Sequence, residues 1–235
     1  MKKIKFLVVL LLLNVSLPSY CGQLYQRITD SLTQESYSDF VLGARSIVNF
    51  VKSEQTGIRI PYYKGKAGKK GKTGKIPDGS IATIMYKNLH YVQIGPSGVV
   101  NFKDCLDGDM FYLETERASV VNFIDGAECG VLYLELGQSS VVSIGGKSKV
   151  RKLVLDLSSA CVVNLKDIAV DTLALVGNGK SSVVKINGMV NLLMNCKDYS
   201  TVISGKYLVN DIMESDRLCK DLRNEVNRFK KSVKP

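Results

Sequence analysis

Three acidic residues recur at one register of a repeated pattern and could act together. Glu114, Glu135 and Asp156 follow one another at intervals of 21 residues. If their segments are strands stacked at about 4.8 Å, the carboxylates form a column on an outward face. Such a column could bind Ca²⁺ or supply the paired carboxylates of a sugar-cleaving enzyme, and Tyr112 and Tyr133 could stack on a sugar. The alternative is a solvated acidic face with tyrosines in ordinary cross-strand pairs, which the lack of an Asp-rich calcium loop favours.

A lysine- and glycine-rich segment at residues 61–79 is the second group that could bind a ligand. It approaches the phosphate-binding P-loop pattern, but Lys66 stands where that pattern requires its first glycine. The composition predicts a solvated loop, and its functional interpretation is attraction to anionic surface polymers or lipid head groups. Its lysines are Lys64, Lys66, Lys69, Lys70, Lys72 and Lys75.

Composition argues against several classes of protein. The formal net charge is +10, but the excess is concentrated in the first residues and in the lysine segment, so no basic face for nucleic acid is expected. His90 is the only histidine, and no G-x-S-x-G element is present, so triad hydrolysis is not expected. The cysteines after Cys21 are five in number and lack CxxC spacing, so neither a metal site nor a cofactor is predicted.

The N-terminus predicts export. Lys2, Lys3 and Lys5 precede an apolar run at residues 6–13, which is too short to span a membrane. We expect a signal peptide over residues 1–21, cleaved after Cys21, with lipidation of Cys21 as the alternative. The mature protein is then periplasmic, secreted or held at the outer membrane surface, and residues 22–37 form a polar linker.

A strict 21-residue repeat organises the rest of the chain. Its five most similar copies begin at residues 97, 118, 139, 160 and 181, with the sequences SGVVNF, ASVVNF, SSVVSI, ACVVNL and SSVVKI. A second alternating strand precedes the later copies, with apolar pairs such as Leu132 and Leu134. Helical repeats need about 33 or more residues. The short period and its β-branched columns therefore predict an all-β protein, a β-helix whose coils stack in register.

The repeat extends upstream in degenerate form. Residues 40–50 resemble residues 92–102, so residues 38–51 are interpreted as strands, and an amphipathic helix is the alternative. A further copy is expected to use Ile58 and Ile60 as its first strand and residues 80–84 as its second. Residues 61–79 are then an insertion in a solenoid domain at residues 38–209.

The C-terminal segment at residues 210–235 predicts a helix. Its apolar stripe consists of Leu218, Leu222, Val226, Phe229 and Val233. We expect this helix to cap the open end of the solenoid, with self-association through the stripe as the alternative.

The coils resemble the auto-transporter adhesin head GIN domain family, known mostly from exported Bacteroidetes proteins. The resemblance covers residues 80–205 and is carried by stretches such as LELGQSSVVSIGG and LDLSSACVVNLKD. It implies a right-handed β-helix at the cell surface or in the periplasm, with no catalytic residues to transfer. The lysine segment and the C-terminal helix are not part of the resemblance.

These observations predict an exported, non-catalytic solenoid that acts as an adhesion or envelope scaffold module. Its valine and asparagine columns should line one long flat face, suited to binding or self-association. The alternative for this face is that the valine columns are ordinary β-structure without a partner. The alternative is a carbohydrate-active β-helix enzyme that uses the acidic column. The sequence leaves the ligand, the oligomeric state and any disulfide open.

Overall fold

The computed structural model describes residues 37–54, 56–59, 73–177, 179–195 and 201–214, and single helical positions between 217 and 231. Within these ranges the chain forms one sheet of 15 strands that winds into a right-handed β-solenoid. The first strands are β1 (Asp39–Leu42), β2 (Ile47–Lys52), β3 (Gly57–Arg59), β4 (Thr73–Ile76) and β5 (Ile81–Tyr86). They are followed by β6 (Tyr91–Ile94), β7 (Val99–Phe102), β8 (Leu106–Thr115), β9 (Val120–Phe123) and β10 (Ala127–Leu136). The last are β11 (Val141–Ile144), β12 (Ser148–Leu157), β13 (Val162–Gly177), β14 (Val183–Asn195) and β15 (Val202–Glu214).

The 21-residue repeat is the register of the stack. Val121 of β9 pairs with Val100 of β7 on one side and with Val142 of β11 on the other. All three side chains are fully buried, as are Val163 and Val184, which continue the column. The parallel pairing and the alternating burial confirm the predicted β-solenoid.

The upstream strand of each repeat forms a second ladder. Leu113, Leu134 and Leu155 are aligned directly through β8, β10 and β12, and all are buried. The core therefore consists of continuous apolar columns along the solenoid axis, each contributed by one position of the repeat.

The turns before β2, β7, β9, β11, β13 and β14 each hold a non-glycine residue in the left-handed region. The φ angles at these positions lie between 54° and 61°, at Arg45, Ser97, Ala118, Ser139, Ala160 and Ser181. The N–H of Ala118 donates to the carbonyl of Gln138 in the next coil at 2.8 Å, and Ala160 repeats this bond with Lys180. The strained turn thus supplies a hydrogen bond between coils.

A buried hydroxyl column follows the left-handed turns. Ser140 Oγ donates to the carbonyl of Glu116 at 2.9 Å and accepts the N–H of Ser119 at 3.3 Å. Ser182 repeats the arrangement with the carbonyl of Ser158 and the N–H of Cys161. These side chains satisfy backbone groups that the turns leave inside the stack.

The spatial order of the coils differs from their order in the chain. Strands β1 and β2 lie between β4 and β5 on one side and β6 and β7 on the other. Phe50 pairs with Phe102 of β7, which is the partner expected from the similarity of residues 40–50 to 92–102. Residues 38–51 accordingly contain the predicted strands, and the helical alternative is wrong.

The strand assignment of the degenerate copy is wrong in one part. Ile58 lies in β3, which pairs antiparallel with β5, and Ile60 lies outside the described residues. The first strand of this coil is β4, inside the segment expected to be a loop. Close packing explains the difference, because a Cβ at Gly74 would lie 2.6 Å from the ring of Phe40. Only glycine lets β4 approach β1 at this point.

The C-terminal helix begins later than predicted. Strand β15 continues to Glu214, because Val209 and Ile212 extend the core columns of Val190 and Leu193. Described positions from Arg217 to Lys231 are helical and exposed. The predicted signal peptide, the linker up to residue 36 and the apolar stripe of the helix lie outside the described residues.

Candidate binding faces of the solenoid

One side of the solenoid carries two regular outward columns, which we call the valine–asparagine face. The columns run across β2, β7, β9, β11, β13 and β14. The apolar column comprises Ile47, Val99, Val120, Val141, Val162 and Val183. The polar column comprises Asn49, Asn101, Asn122, Ser143, Asn164 and Lys185.

The asparagines form a hydrogen-bonded ladder. Asn122 Nδ2 donates to Asn101 Oδ1 at 2.9 Å, and Asn101 Nδ2 donates to Asn49 Oδ1 at 3.1 Å. Asn164 Nδ2 reaches Ser143 Oγ at 3.4 Å. Asn101, Asn122 and Asn164 each donate one amide N–H along the ladder, and each amide carries a second N–H that could donate to a partner outside the sheet.

The valine–asparagine face is partly accessible to solvent. The five valines are half-buried, while Ile47 is 42% exposed and Ile81 of β5, in the same column, is 58% exposed. No charged side chain interrupts the two columns from β2 to β13, and Lys185 is the first. From β2 to β13 the face therefore combines an apolar column with an uncharged polar column, and both repeat at about 4.8 Å.

The acidic column lies where the repeat predicts it, on another side of the solenoid. Glu135 pairs with Glu114 of β8 and with Asp156 of β12, and all three side chains are partly buried. Beside them the rings of Tyr91, Tyr112 and Tyr133 form a tyrosine column. The centroid of Tyr112 lies 5.2 Å from that of Tyr91 and 4.8 Å from that of Tyr133.

The tyrosine column is covered, although its residues alternate to the outside of the coils. Tyr112 is fully buried and Tyr133 is 3% exposed. Each hydroxyl donates to an acid of the next coil: Tyr112 to Glu135, and Tyr133 to Asp156 at 2.9 Å. The rings therefore have the geometry of cross-strand pairs and present no open surface for a sugar.

The environment keeps these phenols protonated. Burial raises the pKa of Tyr112 far above its ordinary value, and the hydrogen bond to the carboxylate of Glu135 raises it further. Burial and the charge of Glu114 raise the pKa of Tyr91 in the same way. The tyrosines act as hydrogen-bond donors that tie one coil to the next.

The C-terminal segment contacts the side of the solenoid. Lys152 Nζ of β12 forms an ion pair with Glu225 at 2.6 Å. Val154 of β12 belongs to the same buried outward cluster as the tyrosine column. Glu225 thus lies next to a covered side, three strands away from β15. Because the apolar stripe of the helix lies outside the described residues, the capping role stays a prediction.

The other candidate residues are distributed as follows. Lys75 is exposed on β4, and the remaining five lysines of the segment lie outside the described residues. His90 is exposed. Cys129 and Cys161 are buried free thiols, and burial raises the pKa of Cys129 to about 12. Cys161 occupies the hydroxyl column, a role that the alignment of SSVVSI with ACVVNL could have indicated.

Two further properties concern the described residues only. They contain no group of three or more His, Cys, Asp or Glu side chains that could hold a metal ion. None of their helices has the length and apolar character needed to cross a membrane.

Comparison with known proteins supports the fold. No protein-family model matches the sequence, including that of the head GIN domain, and no curated protein matches it. The chain is similar to the crystal structure of a protein from Bacteroides fragilis that is named a "putative adhesin", with a TM-score of 0.55 and 13% identity. A protein of the same name from Parabacteroides merdae has a TM-score of 0.51 and 14% identity. Each similarity covers 78% of this chain and 94% of the other, and at this identity it establishes a shared β-solenoid fold.

Proposed function

We propose that the protein is an exported, non-catalytic adhesion or envelope scaffold module that binds through the valine–asparagine face. The observation that carries the proposal is the contrast between two sides of the solenoid. The tyrosine column is buried and hydrogen-bonded, whereas the valine–asparagine face is half-exposed and free of charge up to Lys185. The two similar structures are named putative adhesins, which supports an adhesion role for this chain.

The chemistry of the face indicates the kind of partner. A row of β-branched side chains offers apolar contact at a spacing of about 4.8 Å. The neighbouring polar column offers asparagine amides on β2, β7, β9 and β13 and the hydroxyl of Ser143 on β11. A repetitive polymer of the cell envelope can engage many such positions at once. Weak contacts at each coil then add to a useful affinity because the array is rigid.

The lysine segment extends the proposal to anionic polymers or lipid head groups. Strand β3 ends at Arg59 and β4 begins at Thr73, so both flanking strands lie at the N-terminal end of the stack. This end has an exposed lysine, Lys75. Anion binding here should be sensitive to salt, unlike binding to the uncharged face.

A charge placed on the face tests the proposal. Labelled protein lacking residues 1–21 is titrated against cell-envelope preparations from the organism that makes it. Val141→Lys lies in the middle of the apolar column and should weaken binding at least about tenfold. Gln138→Lys, which adds the same charge on an exposed turn, is the matched control and should bind like the unmodified protein. Equal binding by Val141→Lys and Gln138→Lys would assign the interaction to another surface.

A further inference from the structure

A second apolar cluster lies outside the core of the solenoid, and we call it the outward cluster. Tyr112 stands between Phe111 and Leu113 on β8, whose side chains belong to the core, so Tyr112 points outward. Equivalent outward positions on the neighbouring strands complete the cluster, whose members are Tyr91, Tyr112, Tyr133, Val154, Ala174 and Val176. All of them are between 0% and 3% exposed. Outward side chains are buried to this extent only where other atoms of the protein lie over them.

The C-terminal helix reaches this side of the solenoid. In the described part of the chain all strands belong to the one sheet that forms the coils, so no second sheet lies over the outward cluster. Lys152 lies two residues before Val154 on β12, and by alternation both side chains point outward. Lys152 Nζ forms its ion pair with Glu225 of the helix at 2.6 Å. The helix therefore has a direct contact at the border of the outward cluster.

The described positions of the helix lie on one of its faces. From Arg217 to Lys231 every described position is exposed to solvent. At about 100° per residue, these positions occupy an arc of about 160° around the helix axis. The sequence pattern assigns the stripe of Leu218, Leu222, Val226 and Phe229 to the opposite arc. One face of the helix is thus polar and exposed, and its apolar residues belong to the other face.

The helix and the outward cluster have matching lengths. From Arg217 to Lys231 a helix rises about 21 Å, at about 1.5 Å per residue. The outward cluster runs across β6, β8, β10, β12 and β13, and four inter-strand steps of about 4.8 Å make it about 19 Å long. A single helix laid across these strands has the length needed to cover the cluster.

We propose that the C-terminal helix docks its apolar stripe on the outward cluster of its own chain, with the ion pair between Lys152 and Glu225 at the border of the contact. The burial of the outward tyrosines, the ion pair and the exposed polar face of the helix each support this placement. A helix of this length is marginal alone in water and needs an apolar surface to pack against. The outward cluster offers aromatic and β-branched side chains for that purpose.

Docking at this place makes the helix a cover over the second candidate binding face. The tyrosine column and the acidic column lie side by side there, and a sugar can stack on Tyr112 or Tyr133 only after the helix leaves. The valine–asparagine face lies on another side and stays accessible. The helix has one apolar stripe, so docking on the outward cluster and capping the last coil are alternatives.

The first measurement uses the ion pair and needs no variant that could misfold. A carbodiimide activates the carboxylate of Glu225, and the amine of Lys152 then forms an amide, with the reagent taking up the water that is lost. Protein lacking residues 1–21 is cross-linked, and its monomer and dimer bands are analysed by mass spectrometry, with Glu225→Gln as the negative control. We expect the linked peptides of Lys152 and Glu225 in the monomer. Linked peptides in the dimer alone would assign the helix to a second copy, and their absence from both bands would also overturn the proposal.

The second measurement is the rate at which tetranitromethane nitrates the tyrosines. Val226→Lys places a charge in the stripe, and Asn227→Lys adds the same charge at the next position, which is exposed. Tyr112 and Tyr133 should be nitrated at least about tenfold faster in Val226→Lys than in Asn227→Lys or the unmodified protein, because a covered ring reacts only through local opening. Circular dichroism should show the same strand content in all three. Equal nitration rates would overturn the proposal, and faster amide exchange in β15 of Val226→Lys would then place the stripe over the last coil.

Discussion

The stacked phenylalanine rings of the N-terminal coils can be used to test the spatial order of the coils, which differs from their order in the chain. The ring of Phe102 lies between those of Phe50 and Phe123, with centroid distances of 5.0 and 4.5 Å and interplanar angles of 20° and 11°. Phe123 follows Phe102 by one repeat, whereas Phe50 comes from the coil that is inserted out of chain order. Energetic coupling between Phe50 and Phe102 therefore reports on the position of β2.

The magnitude follows from burial and ring geometry. Phe102 is fully buried, so Phe102→Ala should lower the free energy of unfolding by about 3–5 kcal/mol, and each lost aromatic pair adds about 0.5–1.5 kcal/mol. That loss is a large part of the stability of an ordinary domain, about 5–15 kcal/mol. Leucine keeps most of the volume, so Phe50→Leu and Phe102→Leu should each cost about 1–2 kcal/mol and leave the protein folded.

A double-mutant cycle on the leucine variants is the assay. Urea unfolding is followed by circular dichroism for both single variants and the double variant, and variants are compared only where the m-values agree. We expect a coupling of about 1 kcal/mol between Phe50 and Phe102. Ile144→Val, two strands beyond β7, is the control partner for Phe50→Leu and should show no coupling. Additive effects of Phe50→Leu and Phe102→Leu would refute the placement of β2 beside β7.

Three further predictions use the turns, the tyrosines and the hydroxyl column. Ala118→Gly relieves a left-handed alanine with φ 57° and should raise the free energy of unfolding by about 0.5–1 kcal/mol. Ala127→Gly, at a buried strand position, is the control and should lower the free energy of unfolding. Urea midpoints that shift in the same direction for both variants would contradict this reasoning. The raised pKa of Tyr112 contributes stability that is complete below the ordinary phenol pKa of about 10 and is lost as the pH rises above it. Between about pH 9 and 11 the melting temperature of Tyr112→Phe should therefore fall less than that of the unmodified protein. Equal falls would argue against a buried phenol with a raised pKa. Cys161→Ser restores the residue found at Ser140 in the same column and should leave the thermal midpoint unchanged or higher, while a clear fall would show that the thiol packs differently from the hydroxyls.

The repeat by itself determined most of the fold. In a parallel stack, equivalent positions of consecutive repeats are bonded neighbours, so the spacing of Val100, Val121 and Val142 is also their pairing register. The similarity of residues 40–50 to 92–102 likewise identified β7 as the neighbour of β2, because equivalent segments pair with each other in a parallel stack. These two segments are not one repeat apart in the chain. Local alternation then separated the inward columns from the outward ones, including the valine–asparagine face.

Tertiary structure decided the features that depend on contacts between dissimilar segments. Strand β4 contains a glycine and a lysine and resembles a loop, yet its backbone pairs with β1, and Gly74 leaves room for the ring of Phe40. Tyr112 has the alternation of an outward residue, yet it is buried, because a period of two specifies which way a side chain points and not what lies above it. Ile212 is a second example: the repeat predicts that it follows Leu193 in a core column, but its exposure of 61% depends on what packs against β15.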